Sequence, residues 1–527
     1  MGFWDFFRRA KTQEPVHTQL GAVDSADFVS LVSKGWRGLP SLTSDILRVD
    51  GQRSTMAADA AAHILEQISV DRLSQVDEAI RATFLLGHVG PAVIETWRHQ
   101  SQSRWAVLCV FSCAPNGHTR EAAIHELDTI KNGNELPFLL LRANDWVYEV
   151  QRAARKAIFY RIRADYAQHF VRALPLVARL SGHRRVDQTD LVRQVELFLL
   201  EQGAEALLDG RRSSEQSVRR ACVRLMVRSA DDRFGAQLRG SIDDSDPVVA
   251  VCAIRYVCSR ATDTQLSELV SRVGSFRHPR VRYALLESNA TRFASGTAHV
   301  FRDALFDRNR SIRELARYQL RDDMEVANGH IYALALPLAK GMRLLATLAG
   351  LGDIARPEHT SAVRPFLERN YPPRIRLEAL TTYARLTKDL DGVLLAALAD
   401  PSTGLSKLAL RLIVNGRVTM SESDVSALLG SPLPHVRRNA LGLLMRQGKW
   451  KGLCWALRAL ESPNFTEADR KVAQNFVVRW EARFNRSFVS PRSEELQEIA
   501  ALLPRVEAQL TPSATRFLRT VTSDQVS

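Results

Sequence analysis

A single apolar frame recurs along this chain. In the stretch LLGSPLPHVRRNALGLL, residues 428–444, Val436 is followed by a small residue four places on, Ala440, and an apolar one eight places on, Leu444. Positions four and eight apart share one helix face, so the triplet marks a buried helical stripe. The same frame runs Val150, Ala154, Ile158; Val218, Cys222, Met226; Val249, Ala253, Val257; and Ile312, Ala316, Leu320. It continues through Met342, Ala346, Gly350; Ile375, Ala379, Tyr383; and Leu405, Ala409, Ile413, with Val281 and Leu285 a looser member. From Val218 onward the anchors stand 30 to 33 residues apart. A fixed period of that size predicts stacked helix pairs, each unit covering the apolar face of its neighbour.

Five residues before these anchors stand Asp145, Ser213, Asp244, Asp307, Asn370, Asp400 and Ser431, residue types that cap helix N-termini. Pro401 and Pro432 follow two of them, where the first helical position would tolerate a missing N–H. Each anchor is therefore expected in the first turns of its unit's second helix, and apolar runs such as residues 393–398 and 425–429 form the first. Toward the N-terminus the frame weakens to Thr119, Ala123, Leu127 and to Met56, Ala60, Ile64, with one stretched unit around Leu191, Val195 and Leu199. After residue 450 the period stops. Residues 466–485 then read as a long helix with Thr466 and Asp469 as a capping box, and with residues 493–508 they would close the exposed end of the array.

The paired helices, the Asp/Ser-Pro turn and second helices reading VRRNAL or IRELAR resemble HEAT-type repeats, particularly the short HEAT-like repeats of phycobilisome lyase relatives and many bacterial proteins. The resemblance covers residues 46–450 and implies an all-α solenoid with second helices lining a concave surface. It is weak for function, since lyases, DNA glycosylases and plain scaffolds share such repeats. The expected organisation is a lead-in over 1–45, the repeats over 46–450 and a helical cap over 451–527.

Charge adds a candidate surface. The formal net charge is +14, and all but ten of the 72 basic residues are arginines. Arginine directly follows the anchor at Arg219, Arg282, Arg313, Arg343, Arg376 and Arg437, a recurrence that predicts an internal ladder onto capping carboxylates and helix-end carbonyls of adjacent units. A second set forms stripes at steps of four: Arg220, Arg224, Arg228, and Arg313, Arg317, Arg321. Arg152 and Lys156 occupy the phases of Arg220 and Arg224, and Arg255 that of Arg224. These stripes turn away from the core, so they are expected to be solvent-accessible and, on the HEAT resemblance, to lie on the concave face. Replacing Arg220, Arg224 and Arg228 by glutamine should then cost the fold little. Such a face would attract an acidic protein or the phosphates of nucleic acid. Aromatic residues are only 7 % of the chain and are not seen interleaved with the arginines as base-stacking platforms, which favours a protein partner.

Other chemistry is sparse. There is no phosphate loop, zinc-helix motif or nucleophile elbow, and the histidines do not cluster with acids along the chain. No catalytic residue, metal or cofactor is expected. The six cysteines are scattered, as in a reducing cytoplasm, and Cys109 and Cys113 read as buried small hydrophobes rather than as metal ligands with His118 and His125. No secretory signal or membrane span is recognised; the most apolar stretch, 331–352, is broken by Pro337, Lys340 and Arg343. Phe3, Trp4, Phe6 and Phe7 crowd the N-terminus ahead of Arg8, Arg9 and Lys11, a segment expected to pack on the first repeat or dock into a partner, with interfacial membrane contact as the weaker reading. The sum is a cytoplasmic, non-enzymatic HEAT-like scaffold for a partner protein; the alternative is a sequence-independent DNA or RNA backbone binder, with the HEAT-like DNA glycosylases as one form of it.

Overall fold

The computed structural model describes residues 22–524 apart from 49–50, 98–101, 181, 183–186, 230, 294–296 and 417. Phe3, Trp4, Phe6 and Phe7 lie outside the described residues. Every regular element among the described residues is helical, and the helices pack as consecutive pairs. The chain divides into two compact units, residues 1–289 and 290–527.

In the first unit the helices Gly117–Leu127 and Tyr148–Phe159 pack side by side, as do Gln216–Ser229 and Pro247–Arg260. In the second unit, each of the helices Arg310–Gln319, Gly341–Ile354, Pro373–Leu386, Thr403–Gly416 and Pro434–Leu444 packs against the next. The periodic frame maps onto these helices in a constant register. Val150, Val218, Val249, Val281, Ile312, Ile375, Leu405 and Val436 are each the third residue of their helix. The small residues Ala154, Cys222, Ala253, Ala316, Ala379, Ala409 and Ala440 are wholly buried. Even less space is left at Gly350, where an added Cβ would come 2.4 Å from the Tyr332 ring. Met342 departs from the frame: its helix starts at Gly341, which shifts the register by one residue and leaves Met342 exposed.

The helix caps fall two residues later than expected. Asp145, Ser213, Asp244, Asp307, Asp400 and Ser431 accept the N–H of the residue two places on, at 2.7–3.3 Å, and so shape the turn before the helix. Where a side-chain cap forms, it comes later: Asp246 accepts from Val248 N–H and Asn309 from Ser311 N–H. Asn370 bonds only Glu368 within its own loop. Pro401 and Pro432 therefore sit inside the turns, whereas Pro247, Pro373 and Pro434 occupy first helical positions. The distinction matters because the turn residue also receives the ladder arginine.

At the end of the chain the helices Lys449–Glu461, Glu467–Ala482, Ser493–Val506 and Pro512–Asp524 share one core with Leu441 and Met445 of the preceding repeat. Thr466 and Asp469 form the capping box their spacing predicts. The six cysteines are unpaired, and burial pushes the Cys113 thiol up to about 12 despite the nearby Arg142, as expected of an inert core thiol. No helix among the described residues is long and apolar enough to cross a membrane.

Candidate interaction surface

The arginines divide into two structural classes. Those directly after the anchor turn inward. The guanidinium of Arg120 is fully buried: its Nε and Nη2 donate to the two carboxylate oxygens of Asp145 at 2.9 and 2.8 Å, and its Nη1 donates to the carbonyls of Ala114 and Pro115. The same grip recurs at six residues' distance, with Arg219 donating to Ser213 O, Arg282 to Phe276 O, Arg313 to Asp307 O and Arg437 to Ser431 O. Arg219, Arg313 and Arg437 also reach a carboxylate of a later unit, Asp244, Asp353 and Asp469, and Arg376, which donates to Tyr371 O, likewise reaches Asp400. One side chain thus ties its own pre-helical turn to the next repeat, with bidentate geometry that lysine could not supply. Arg343 does otherwise and lies over the Phe306 ring at 4.2 Å, because the Met342 register shift points it elsewhere.

Burial alone would raise the Asp145 carboxyl, but hydrogen bonds from Arg120 and Val147 N–H and the charge of Arg142 outweigh it, and its pKa falls below the ordinary aspartate value. Asp246 behaves in the same way: burial acts upward, while Arg220 and Val248 N–H bring the net shift downward.

The candidate binding residues do not form one uniform stripe. Arg313 is buried in the ladder rather than solvent-accessible, since its Nε and Nη2 both grip Asp353. Arg317 is drawn to the same carboxylate at 3.5 Å, together with Arg310 and Arg385 at 3.6 Å each. Arg220 is claimed by Asp246, with Nε 2.6 Å from Oδ2. Arg228 pairs with Glu196 and Arg255 with Glu287, both at the surface. Arg321 is exposed and lies 5.1 Å over the Tyr318 ring. Arg152, Lys156 and Arg224 are exposed and form no ion pair with any described residue.

Two of those three belong to a patch that sequence reasoning missed. Tyr148, Arg152, Lys156 and Tyr160 follow one another at steps of four along the helix Tyr148–Phe159 and its C-terminal residue, drifting only about 40° per step around the axis. Tyr148 and Tyr160 are 64 and 62 % exposed, and the Lys156 ammonium lies 5.8 Å from the Tyr160 ring. Just ahead, Trp146 is equally exposed, with Arg81 and Arg120 at 4.5 and 4.8 Å from its ring. Aromatic and basic side chains are therefore interleaved here, contrary to the reading from overall composition. The signal was present in the spacing of Tyr148 and Tyr160, but only exposure separates it from a core stripe.

No family model and no curated protein sequence matches the chain. Among solved structures, the chain is similar to Kap121p at 12 % identity and a TM-score of 0.30 over 95 % of its own length, and it spans 54 % of that protein. It is similar to importin β at 11 % identity and a TM-score of 0.26, covering 96 % of this chain and 87 % of that one. It is also similar to UNC-45 from Drosophila melanogaster at 12 % identity and a TM-score of 0.22, covering 87 % and 76 %. The all-α assignment rests on the helix packing of the chain itself.

Proposed function

We propose that this chain is a non-enzymatic HEAT-like scaffold that holds an acidic partner protein through the exposed surface of the helix Tyr148–Phe159. The observation that carries this reading is the row Tyr148, Arg152, Lys156, Tyr160 beside Trp146, exposed and with neither cation in an ion pair among the described residues. Tyrosine, tryptophan and arginine are the side chains that dominate protein interfaces, because they give large contact area at small entropic cost. The neutralisation of Arg220, Arg228, Arg255 and Arg317 by neighbouring acids supports a confined contact of this kind over a long phosphate-tracking strip.

The same row supplies the specific observation for the second reading, a sequence-independent nucleic-acid binder, since exposed tyrosines flanking cations can also stack bases. Fluorescence anisotropy with single-stranded DNA, duplex DNA and RNA at two salt concentrations separates the two. The scaffold reading expects feeble nucleic-acid binding near physiological salt. Tight binding there, weakened by Arg152→Gln with Lys156→Gln and falling steeply with added salt, overturns it.

A further inference from the structure

We infer that His330, Glu358 and His359 form a binding site for a divalent transition metal of the zinc, cobalt or nickel class. Their ligand atoms all lie within 4.8 Å of one another, and among the described residues this is the one such trio of histidine and acidic side chains. The Oε1 of Glu358 is 3.7 Å from His330 Nε2 and 3.8 Å from His359 Nε2. Bonds of about 2.0–2.2 Å to a common ion place neighbouring ligand atoms about 3–3.5 Å apart, so closure requires only small movements. His330 and Glu358 are 55 and 52 % exposed and free to make them. Two imidazoles and one carboxylate select this class of metal over calcium or magnesium, which prefer all-oxygen sites.

The backbone is shaped to bring the three together. Gly329 adopts a left-handed conformation, φ 81°, between the turn of helix at Met324–Ala327 and the helix His330–Ala335. That bend sets His330 and the Asn328 carbonyl against the turn Pro357–His359. A Cβ at position 329 would stand 3.1 Å from His359 Nε2, so glycine also admits the ring. His359 is buried, the His330 and His359 rings meet edge to face at 5.7 Å, and His359 Nε2 lies 2.7 Å from Asn328 O.

That last contact has a chemical consequence. Without metal, His359 donates its Nε2 proton to Asn328 O. To ligate through Nε2, the neutral ring must carry its proton on Nδ1 instead, and the Nε2 lone pair then faces the cation. The ion then stands in place of the Nε2 proton, so Asn328 O gives up its 2.7 Å contact, and water completes the coordination begun by the three side chains. No net proton is released by this tautomer change. Arg356, which donates to Asn328 Oδ1, holds the turn and is the neighbouring positive charge the ion must tolerate. Binding would clamp the turn at 328–330 to the turn at 357–359.

The test uses the full chain, titrated with Co2+ by visible absorption and with Zn2+ by calorimetry, against His330→Ala and Glu358→Gln. Both substitutions fall on exposed side chains, and far-UV circular dichroism of the metal-free variants should match the parent. The expected result is one tight site per chain, a rise in Tm with Zn2+, and affinity at least tenfold weaker in each variant with the Tm rise lost. The inference is overturned if the parent takes up no Co2+ or Zn2+, or if the variants bind with the parent's affinity and stoichiometry, which would place the metal on other histidines.

Discussion

The helices Tyr148–Phe159 and Gln216–Ser229 occupy equivalent places in the repeat, with Arg152 and Lys156 in the phases of Arg220 and Arg224, yet they use their cations differently. On the second helix Arg219 and Arg220 reach Asp244 and Asp246 of the following unit, and Arg228 reaches Glu196. On the first helix the ladder position is Gln151, neither Arg152 nor Lys156 forms an ion pair with a described residue, and tyrosines stand at either end of the row. Apart from the exposed Arg224, the second helix commits these cations to cohesion, whereas the first presents Arg152 and Lys156 to solvent. The repeat phase of a cation sets which way it points, but the acids of the next unit decide whether it can bind anything else.

The sharpest way to break this division is at its most buried node. Arg120→Met should destabilise the first unit by about 3 kcal/mol, because Asp145 keeps Arg142 at 3.0 Å but loses its bidentate partner, and the buried carbonyl of Ala114 loses its donor. Chemical denaturation measures this, and a loss below about 1 kcal/mol would show that the ladder is not cohesive. Asp246→Ala should cost about 2 kcal/mol: it removes the cap on Val248 N–H and the Arg220 ion pair, but Arg220 is 38 % exposed and regains water. For the same reason the Arg220, Arg224 and Arg228 triple glutamine variant should not be neutral to the fold, contrary to what the surface stripe alone suggests. Within the second unit, Ala440→Leu should cost about 1–3 kcal/mol through overpacking of a wholly buried slot, read as a lowered Tm.

Acid should weaken the ladder without mutation. The folded-state pKa values of Asp145 and Asp246 are depressed, so the stability they contribute is present above the unfolded carboxylate value and is lost as pH falls below about 4. Urea midpoints from pH 7 to pH 3 should fall over that acid range, and less steeply in Asp246→Ala. The smallest effect is expected at the open row: Arg152→Gln with Lys156→Gln should change stability by no more than about 0.5 kcal/mol, since neither side chain has an ion-pair partner to lose among the described residues.

The helix frame was legible because each buried anchor, small slot and apolar third position repeats at fixed spacing, and core packing enforces that spacing in every unit. The caps were misplaced by two residues because aspartate and serine serve a pre-helical turn as readily as an N-cap, and only the backbone distinguishes them. The ladder was legible from the recurrent arginine; Arg313 was read both into it and into the exposed stripe, and its carboxylate partner, Asp353, 40 residues away, decides for the ladder. His330 and His359 are separated by 28 intervening residues, and the left-handed turn at Gly329 brings them together, so no local spacing reveals them. The break between residues 289 and 290 likewise leaves no mark in the period, which runs through it unchanged.

The division between binding and cohesive cations is tested most directly by fluorescence anisotropy with labelled polyglutamate, comparing the parent with Arg152→Gln/Lys156→Gln and with Arg220→Gln/Arg228→Gln. The account predicts salt-sensitive binding that weakens about fivefold in the first variant, corresponding to about 0.5 kcal/mol for each lost charge, and changes less than twofold in the second. Equal weakening in both variants, or no binding of the acidic probe by the parent even at low salt, would contradict it.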